Sequence, residues 1–198
     1  MSGAETLDPV GPPITRNPER GTLNPEPEPR TGNPEPEPGT PKMEQKPYYD
    51  LNTFLRRRFG CRVQKISLDA GLGCPNRDGS KGRGGCIYCN ERGSGTGNAA
   101  TQSLTEQLGS AKSFLARRYK ARKFLGYFQS YSNTYAPLPE LKRLYAEVLA
   151  DPEVVGLCIG TRPDCVDEEI LDHLADLARD HLIWLEYGLQ SAKERTLA

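Results

Sequence analysis

The feature that most constrains the fold of this 198-residue chain is the alternation of strand-like and helix-like segments that begins near Tyr48. Short runs of branched and aromatic residues predict strands, and apolar residues at helical spacing predict the helices between them. The predicted strands are residues 62–70, 123–130, 154–160 and 182–189, and the predicted helices begin near Ser103, Pro139 and Asp167. Because strands that alternate with helices pair in parallel through right-handed crossovers, we expect an α/β fold in the order βαβαβαβ.

The segment before this pattern has a different composition. Residues 1–46 hold most of the 17 prolines, and the hexapeptide Asn-Pro-Glu-Pro-Glu-Pro occurs in them twice, at 24–29 and 33–38. Such a segment cannot bury enough apolar surface to offset its ordering entropy. We therefore predict a disordered Pro/Glu-rich tail over 1–46 and a folded domain over 47–198.

Charge and hydropathy indicate no partner by themselves. The formal net charge is zero, so overall electrostatics does not point to a nucleic acid. Nothing near the start resembles a leader, and no apolar run is long enough to span a bilayer, so we expect a cytoplasmic protein without membrane contact. In a reducing compartment we expect the six cysteines to be free thiols.

Three cysteines lie in a glycine-rich loop that directly follows the first predicted strand. They are Cys74, Cys86 and Cys89, and the last two form a Cys-x-x-Cys pair. Three thiolates leave one iron of an iron-sulfur cluster open, whereas a closed structural zinc site takes four ligands. Cys61 precedes the strand and cannot complete the site, because it would lie roughly 25 Å away at about 3.3 Å per residue. A zinc-binding interaction module is the alternative interpretation.

Polar residues follow each predicted strand at its carboxyl end. They lie in the cysteine loop, at 129–135, at 161–165, and at Gln190 and Ser191. In a parallel sheet these ends meet at one edge, where α/β barrels place their active sites, so we favour part of a barrel over a small doubly wound sheet. Cys158 is predicted to be a small buried residue, and Cys165 is either an incidental loop cysteine or a redox or substrate-contacting thiol.

Together these motifs resemble the radical S-adenosylmethionine (SAM) superfamily. The resemblance rests on Cys-Pro-Asn-Arg-Asp-Gly followed by Gly-Gly-Cys-x-x-Cys, on Asn133-Thr-Tyr-Ala136, on Gly160-Thr-Arg-Pro-Asp164 and on Gly188-Leu-Gln-Ser191. It covers about residues 47–198 and points to a group of uncharacterised bacterial proteins similar to the Elongator catalytic subunit and to oxygen-independent coproporphyrinogen oxidase.

The resemblance implies an enzyme with a [4Fe-4S] cluster that is bound by Cys74, Cys86 and Cys89, with SAM bound at the open iron. An electron from a donor of the flavodoxin or ferredoxin class would cleave SAM to methionine and a 5′-deoxyadenosyl radical, which abstracts hydrogen from the substrate.

Further contacts to SAM follow from the resemblance. Tyr88 should lie against the adenine, and Gln129, Ser130 and Asn133 stand where many members carry a Gly-Gly-Glu motif that binds the SAM amino group. We assign Arg162 to the SAM carboxylate or an anionic substrate, because its guanidinium presents a fork of donors. We assign Gln190 to the ribose or the substrate.

The expected architecture is incomplete. Members of the superfamily usually have six βα units, and this chain ends after the fourth predicted strand. We therefore expect a partial (β/α) barrel of the radical SAM type, truncated after that strand, and an inactive cluster-binding truncation is a second alternative. Within the fourth strand, Glu186 shares the face of Gln190 and is either a site residue or a structural ion-pair partner.

Two basic runs remain, Arg56-Arg-Arg58 and Arg117-Arg-Tyr-Lys-Ala-Arg-Lys123. Solvated surfaces explain such runs, and contact with RNA phosphates is the functional alternative. Because relatives of the Elongator type act on transfer RNA, the resemblance suggests RNA as the substrate class.

Overall fold

The computed structural model describes residues 47–95, 102–189, 191–193 and 195. The chain divides into two units, Met1–Gln45 and Lys46–Ala198, and the structure described below is that of the second. The disorder predicted for residues 1–46 lies outside the described residues and stays a prediction. Within the described part, no helix is both long and apolar enough to cross a membrane.

Four strands form one parallel sheet in the sequential order β1-β2-β3-β4. They are β1 (Val63–Leu68), β2 (Lys123–Phe128), β3 (Val154–Thr161) and β4 (Leu182–Tyr187). The predicted α/β class with parallel pairing is confirmed. β1, β2 and β4 each end two residues earlier than predicted, and residues 69–70, 129–130 and 188–189 belong to the loops that follow them.

Helices precede and connect the strands. They are α1 (Leu51–Phe59), α2 (Leu104–Tyr119), α3 (Leu138–Leu149) and α4 (Glu168–Leu177), with a short 3₁₀ helix at Pro163–Cys165. The predicted capping box of α2 is present, because Ser103 and Glu106 each accept a hydrogen bond from the other's backbone N–H. The sequence pattern misses α1, since only Leu55 is buried in it and three arginines fill its last turn.

One face of the sheet is covered by α2, α3 and α4. The strands direct Ile66, Leu68, Phe124, Phe128, Leu157 and Ile159 into this core. Phe128 meets Tyr145 of α3 edge to face with ring centroids 5.3 Å apart, and both side chains are fully buried. Because the three crossover helices lie on the same face, this side of the sheet is apolar along its whole length.

The opposite face carries α1 at one end. Leu55 packs there against Val63, Leu125, Cys158 and Leu182. Cys158 is fully buried, as predicted, and burial raises the pKa of its thiol to about 11. Both observations fit a cysteine that acts as a small apolar side chain.

An ion pair crosses the same face farther toward the carboxyl ends of the strands. Lys65 Nζ in β1 lies 2.8 Å from Glu186 Oε1 in β4, and it also lies 4.4 Å from the ring centroid of Tyr127 in β2. In a flat sheet, strands separated by two others are about 14 Å apart. The two side chains therefore extend toward each other across the sheet, and Glu186 has the ion-pair partner that the structural interpretation predicts.

Candidate functional site

The carboxyl ends of the strands and the cysteine loop surround an open cavity of about 370 Å³. Its wall combines the loop with residues that follow or end β2, β3 and β4, among them Cys74, Arg77, Cys86, Tyr88, Cys89, Gln129, Tyr131, Arg162 and Glu186. A cavity of this size can hold a small-molecule cofactor. The sequential parallel order of the strands is what brings these distant segments to one edge.

All three loop thiols line this cavity, and a side-chain donor is directed at each of them. Asn76 Nδ2 donates to Cys86 Sγ at 3.1 Å. Arg77 Nη2 lies 3.6 Å from Cys89 Sγ, and Ser132 Oγ lies 3.6 Å from Cys74 Sγ. Such donors stabilise thiolates over thiols, since the negative charge on sulfur is the better acceptor.

Within the cysteine loop, the Arg77 side chain packs tightly against the backbone of other loop residues. The guanidinium donates to the carbonyl oxygens of Asn90 and Glu91 and lies against Gly85. Gly85 has φ +85°, and a Cβ at this position would lie 2.8 Å from Arg77 Nε. A side chain at Gly85 would therefore displace the arginine.

Tyr131 fastens the same loop to the end of β2. Its backbone N–H donates to Gly93 O at 3.1 Å and its hydroxyl donates to Glu91 O at 3.0 Å. Its φ is +64°, and its ring fills the space where a Cβ of Gly93 would stand, 2.5 Å from Tyr131 Cδ1. A bulky residue in the left-handed region is strained, so these contacts must hold it there.

Electrostatics around Cys86 favours its ionised form. The pKa of the Cys86 thiol is lowered, chiefly because Tyr88 donates a hydrogen bond to the sulfur, with a further contribution from Asn76. The same bond raises the pKa of Tyr88 to about 12. Tyr88 is therefore a neutral donor at the cavity wall, and its ring remains 61% exposed.

Arg162 lines the cavity but already has a partner. Its Nε and Nη2 donate to the two carboxylate oxygens of Asp164, each at 2.8 Å. Lys81 from the cysteine loop also pairs with Asp164. These two cations hold the pKa of the Asp164 carboxyl well below its usual range, with the Arg162 hydrogen bond the larger cause.

The residues predicted to contact SAM divide into two groups. Tyr88, Gln129 and Arg162 line the cavity. Ser130 and Asn133 are buried beneath it and are absent from its wall. Gln190 lies outside the described residues. The SAM contacts assigned to all six remain predictions.

Asn133 has a clear structural role. Its side-chain Nδ2 donates to Phe128 O at 3.0 Å and to Gly160 O at 2.9 Å, and its backbone N–H also donates to Gly160 O. The side chain thus joins the carboxyl ends of β2 and β3 under the cavity floor. Its Oδ1 atom is buried and has no hydrogen-bond partner among the described residues.

The remaining cysteines, all within the described ranges, do not line the cavity that holds the three loop thiols. Cys61 is at the opposite end of β1, as expected from its place in the sequence. Cys165 ends the 3₁₀ helix, is 9% exposed, and lines a separate cavity with Thr134 and Asp167.

Sequence reasoning did not single out several residues that the structure places at the site. Asn76, Arg77, Tyr127, Tyr131 and Ser132 were not assigned roles, yet each lines the cavity or contacts a loop thiol. Asn76 and Arg77 were visible as part of the Cys-Pro-Asn-Arg motif. Tyr131 and Ser132 fall between the predicted contacts Gln129 and Asn133, and only the fold shows what they touch.

The donor set has the chemistry that a cluster with three protein thiolates requires. Within the described ranges, no three Cys, His, Asp or Glu side chains are grouped around a position for a single metal ion. A [4Fe-4S] cluster makes a different demand, because each thiolate binds a different iron atom. Three thiols on one cavity wall, each with its own donor, fit such a group.

Similar sequences occur in bacteria and in an archaeon. The chain is 43% identical over 154 residues to the uncharacterized protein YtqA of Bacillus subtilis, an alignment that covers 77% of this chain and 48% of that protein. It is 41% identical over 144 residues to the protein YhcC of Escherichia coli K12, covering 72% and 46%. The uncharacterized protein MJ0486 of Methanocaldococcus jannaschii is 40% identical over 149 residues, covering 73% and 44%.

The chain thus spans about half the length of the curated relatives that it matches. No family model and no solved structure matches it.

Proposed function

We propose that this chain is a radical SAM enzyme, or part of one, and that Cys74, Cys86 and Cys89 bind a [4Fe-4S] cluster. One observation carries the proposal: three thiols, each with a side-chain donor, line a single cavity at the carboxyl edge of a parallel sheet. When bound, the cluster would supply the electron that cleaves SAM and generates a 5′-deoxyadenosyl radical.

The residues of the cavity wall can bind and orient SAM. Tyr88 offers an exposed aromatic face next to the thiols, suited to the adenine. Gln129 directly follows β2 and lines the wall, where its amide can meet the SAM amino group or carboxylate. Arg162 is held in place by Asp164 and can receive an anionic group with its remaining donors. Gln190 is proposed to contact the ribose.

The same proposal includes a partial barrel. Three features support it: the strands are sequential, all crossover helices lie on one face, and the Lys65–Glu186 pair spans the other face. A concave sheet brings β1 and β4 closer than a flat one does, which favours such a pair. A doubly wound sheet would need crossover helices on both faces.

Anaerobic reconstitution with iron and sulfide, followed by reductant and SAM, tests the proposed activity. We expect 5′-deoxyadenosine to be released, with an electron donor of the flavodoxin or ferredoxin class as the physiological reductant. Cys89→Ala should release none, whereas the matched change Cys165→Ala should leave release intact. One tightly bound zinc per chain without sulfide would favour the zinc-binding module, and a cluster without deoxyadenosine would favour an inactive truncation.

RNA is the substrate class that we propose, and a basic edge of the sheet supports it. The two basic runs meet at the amino-terminal edge, where Arg58 of the first run and Lys123 of the second lie over the same ring, that of Phe59. Arg62 joins them, because its carbonyl oxygen accepts from the backbone N–H groups of Arg122 and Lys123. The edge comprises Arg58, Arg62, Arg118, Lys120, Arg122 and Lys123. No carboxylate in the described ranges pairs with any of these six side chains.

Aromatic rings lie among these charges. Lys123 and Arg58 lie over Phe59, and Arg62 and Arg118 lie over Tyr119, at 5.6 to 5.7 Å from the ring centroids. Basic side chains ordered on aromatic faces suit phosphate contact. Some of these basic residues have a structural explanation, because positive charges at the carboxyl ends of α1 and α2 interact favourably with the helix dipoles. That cause does not extend to Arg122 and Lys123, which follow α2.

Fluorescence anisotropy with a labelled RNA hairpin tests the basic edge. We expect Arg118→Glu with Lys120→Glu to weaken binding about tenfold or more and to lower the salt dependence, since each lost phosphate contact reduces its slope by about 0.7–0.9. Arg143→Glu with Arg179→Glu makes the same change in charge elsewhere and should have little effect. Equal weakening by both pairs would contradict a specific surface.

A further inference from the structure

The side chains that donate to the loop thiols differ in charge. Asn76 and Ser132 are neutral, whereas Arg77 presents a guanidinium to Cys89. Cys89 also accepts a hydrogen bond from Ser94 Oγ at 3.5 Å. A full positive charge is therefore fixed beside one thiol of the three.

The charge of Arg77 is not neutralised by a carboxylate within the described ranges. Its other polar partners are the carbonyl oxygens of Asn90 and Glu91. The other guanidinium at the cavity, that of Arg162, differs in this respect because it forms a two-point ion pair with Asp164. Of these two arginines, only Arg77 donates a hydrogen bond to a loop thiol, and no carboxylate within the described ranges offsets its charge.

Tyr131 keeps Arg77 in this position. The Arg77 Cζ atom lies 5.4 Å from the Tyr131 ring centroid, and both side chains donate to Glu91 O. Because Gly93 has no side chain, the Tyr131 ring can pack directly against its backbone. The strained backbone of Tyr131, with φ +64°, is thus coupled to the placement of the guanidinium.

We propose that Arg77 raises the reduction potential of the cluster bound by the three thiolates, and that Tyr131 acts as its positioning residue. The inference rests on the proposed function. One-electron reduction adds one negative charge to the cluster, and the electron comes from a reductant such as dithionite or a donor of the flavodoxin or ferredoxin class. A fixed cation and a hydrogen bond at Cys89 both stabilise the more negative, reduced form.

Spectroelectrochemical titration of the reconstituted full chain, with the electron paramagnetic resonance signal as the readout, measures this effect. We expect Arg77→Gln to retain the iron and to shift the midpoint to lower potential, so that the ratio of reduced to oxidised cluster at a fixed potential falls roughly tenfold. Arg77→Lys, which keeps the charge, should recover most of the shift. Tyr131→Leu should shift the midpoint in the same direction by a smaller amount.

Arg92→Gln is the matched control, because Arg92 lies in the same loop, is exposed, and has no described side-chain contact with a thiol. If Arg77→Gln loads less than half of the parent's iron, Tyr131→Leu carries the test, and a midpoint equal to that of Arg92→Gln would then overturn the inference. A loaded Arg77→Gln variant with the midpoint of Arg92→Gln would overturn this inference alone. A parent chain that binds no iron and sulfide would overturn the proposed function and this inference with it.

Discussion

The helix-covered face of the sheet and the cysteine loop at its carboxyl edge are held together by different interactions. On the helix face, buried aliphatic and aromatic side chains such as Phe128 and Tyr145 fill a continuous core. In the loop, the contacts are hydrogen bonds to carbonyl and sulfur atoms and one arginine packed on a tyrosine. We therefore expect the stability of the fold to depend mainly on the first region, and the second is the region for which we propose chemistry.

The largest effect is expected from removing a loop thiol. Cys86→Ala should abolish iron and sulfide binding after anaerobic reconstitution, because only two protein ligands would remain. Cys61→Ala is the matched control and should bind as much iron as the parent, since Cys61 lies at the other end of β1. Loss of iron in Cys61→Ala would contradict the assignment of cluster binding to the carboxyl-terminal end of the sheet alone.

The reverse case is a change in the core that spares the loop. Phe128→Ala should lower the free energy of unfolding by about 3–5 kcal/mol, because the ring is fully buried against Tyr145. Urea denaturation followed by circular dichroism measures the loss. The exposed Phe114→Ala serves as control, with an expected change within about 0.5 kcal/mol.

Asn133 lies between the helix-covered core and the cysteine loop, so a change there can affect both stability and cofactor binding. Asn133→Ala should lower the free energy of unfolding by about 1–3 kcal/mol, because the carbonyl oxygens of Phe128 and Gly160 lose a donor. Urea denaturation measures it, and SAM affinity of the reconstituted variant then shows whether the residue also serves the cofactor. An unchanged stability would mean that the ends of β2 and β3 do not need this amide.

These residues show how far the sequence could be read. The spacing of the apolar side chains predicted all four strands and the three crossover helices, because an element that is buried on one face has apolar residues at regular intervals in the sequence. The strand ends were placed too late and α1 was missed, since loops and a helix with one buried residue leave little trace. The three cysteines proposed as ligands were visible in the sequence as a motif. The contacts of Arg77 and Tyr131 depend on φ angles and on a loop that folds back on itself, which no residue spacing encodes.

The smallest effect concerns the ion pair that joins the cysteine loop to the end of β3. Asp164→Asn should lower the free energy of unfolding by up to about 1 kcal/mol at pH 7, because the carboxylate is partly exposed. The folded pKa of Asp164 is lowered by Arg162 and Lys81. The contribution is therefore complete above the unfolded pKa of about 3.9 and is lost as the pH falls below it.

Urea denaturation of Asp164→Asn and the parent between pH 7 and pH 3 checks the sign of this effect. The difference between the two proteins should shrink toward low pH, with Asp167→Asn as a neighbouring reference in which the asparagine oxygen still caps α4. A difference that grows as the pH falls would reverse the assigned role of the pair.

The most direct test of the account is Mössbauer spectroscopy of the chain reconstituted with ⁵⁷Fe, recorded before and after SAM is added. Three thiolate ligands predict a [4Fe-4S] spectrum in which about one quarter of the iron signal changes on SAM addition, because one iron lacks a protein ligand. A [4Fe-4S] spectrum that SAM leaves unchanged, or the absence of any cluster signal, would contradict an open iron held by Cys74, Cys86 and Cys89.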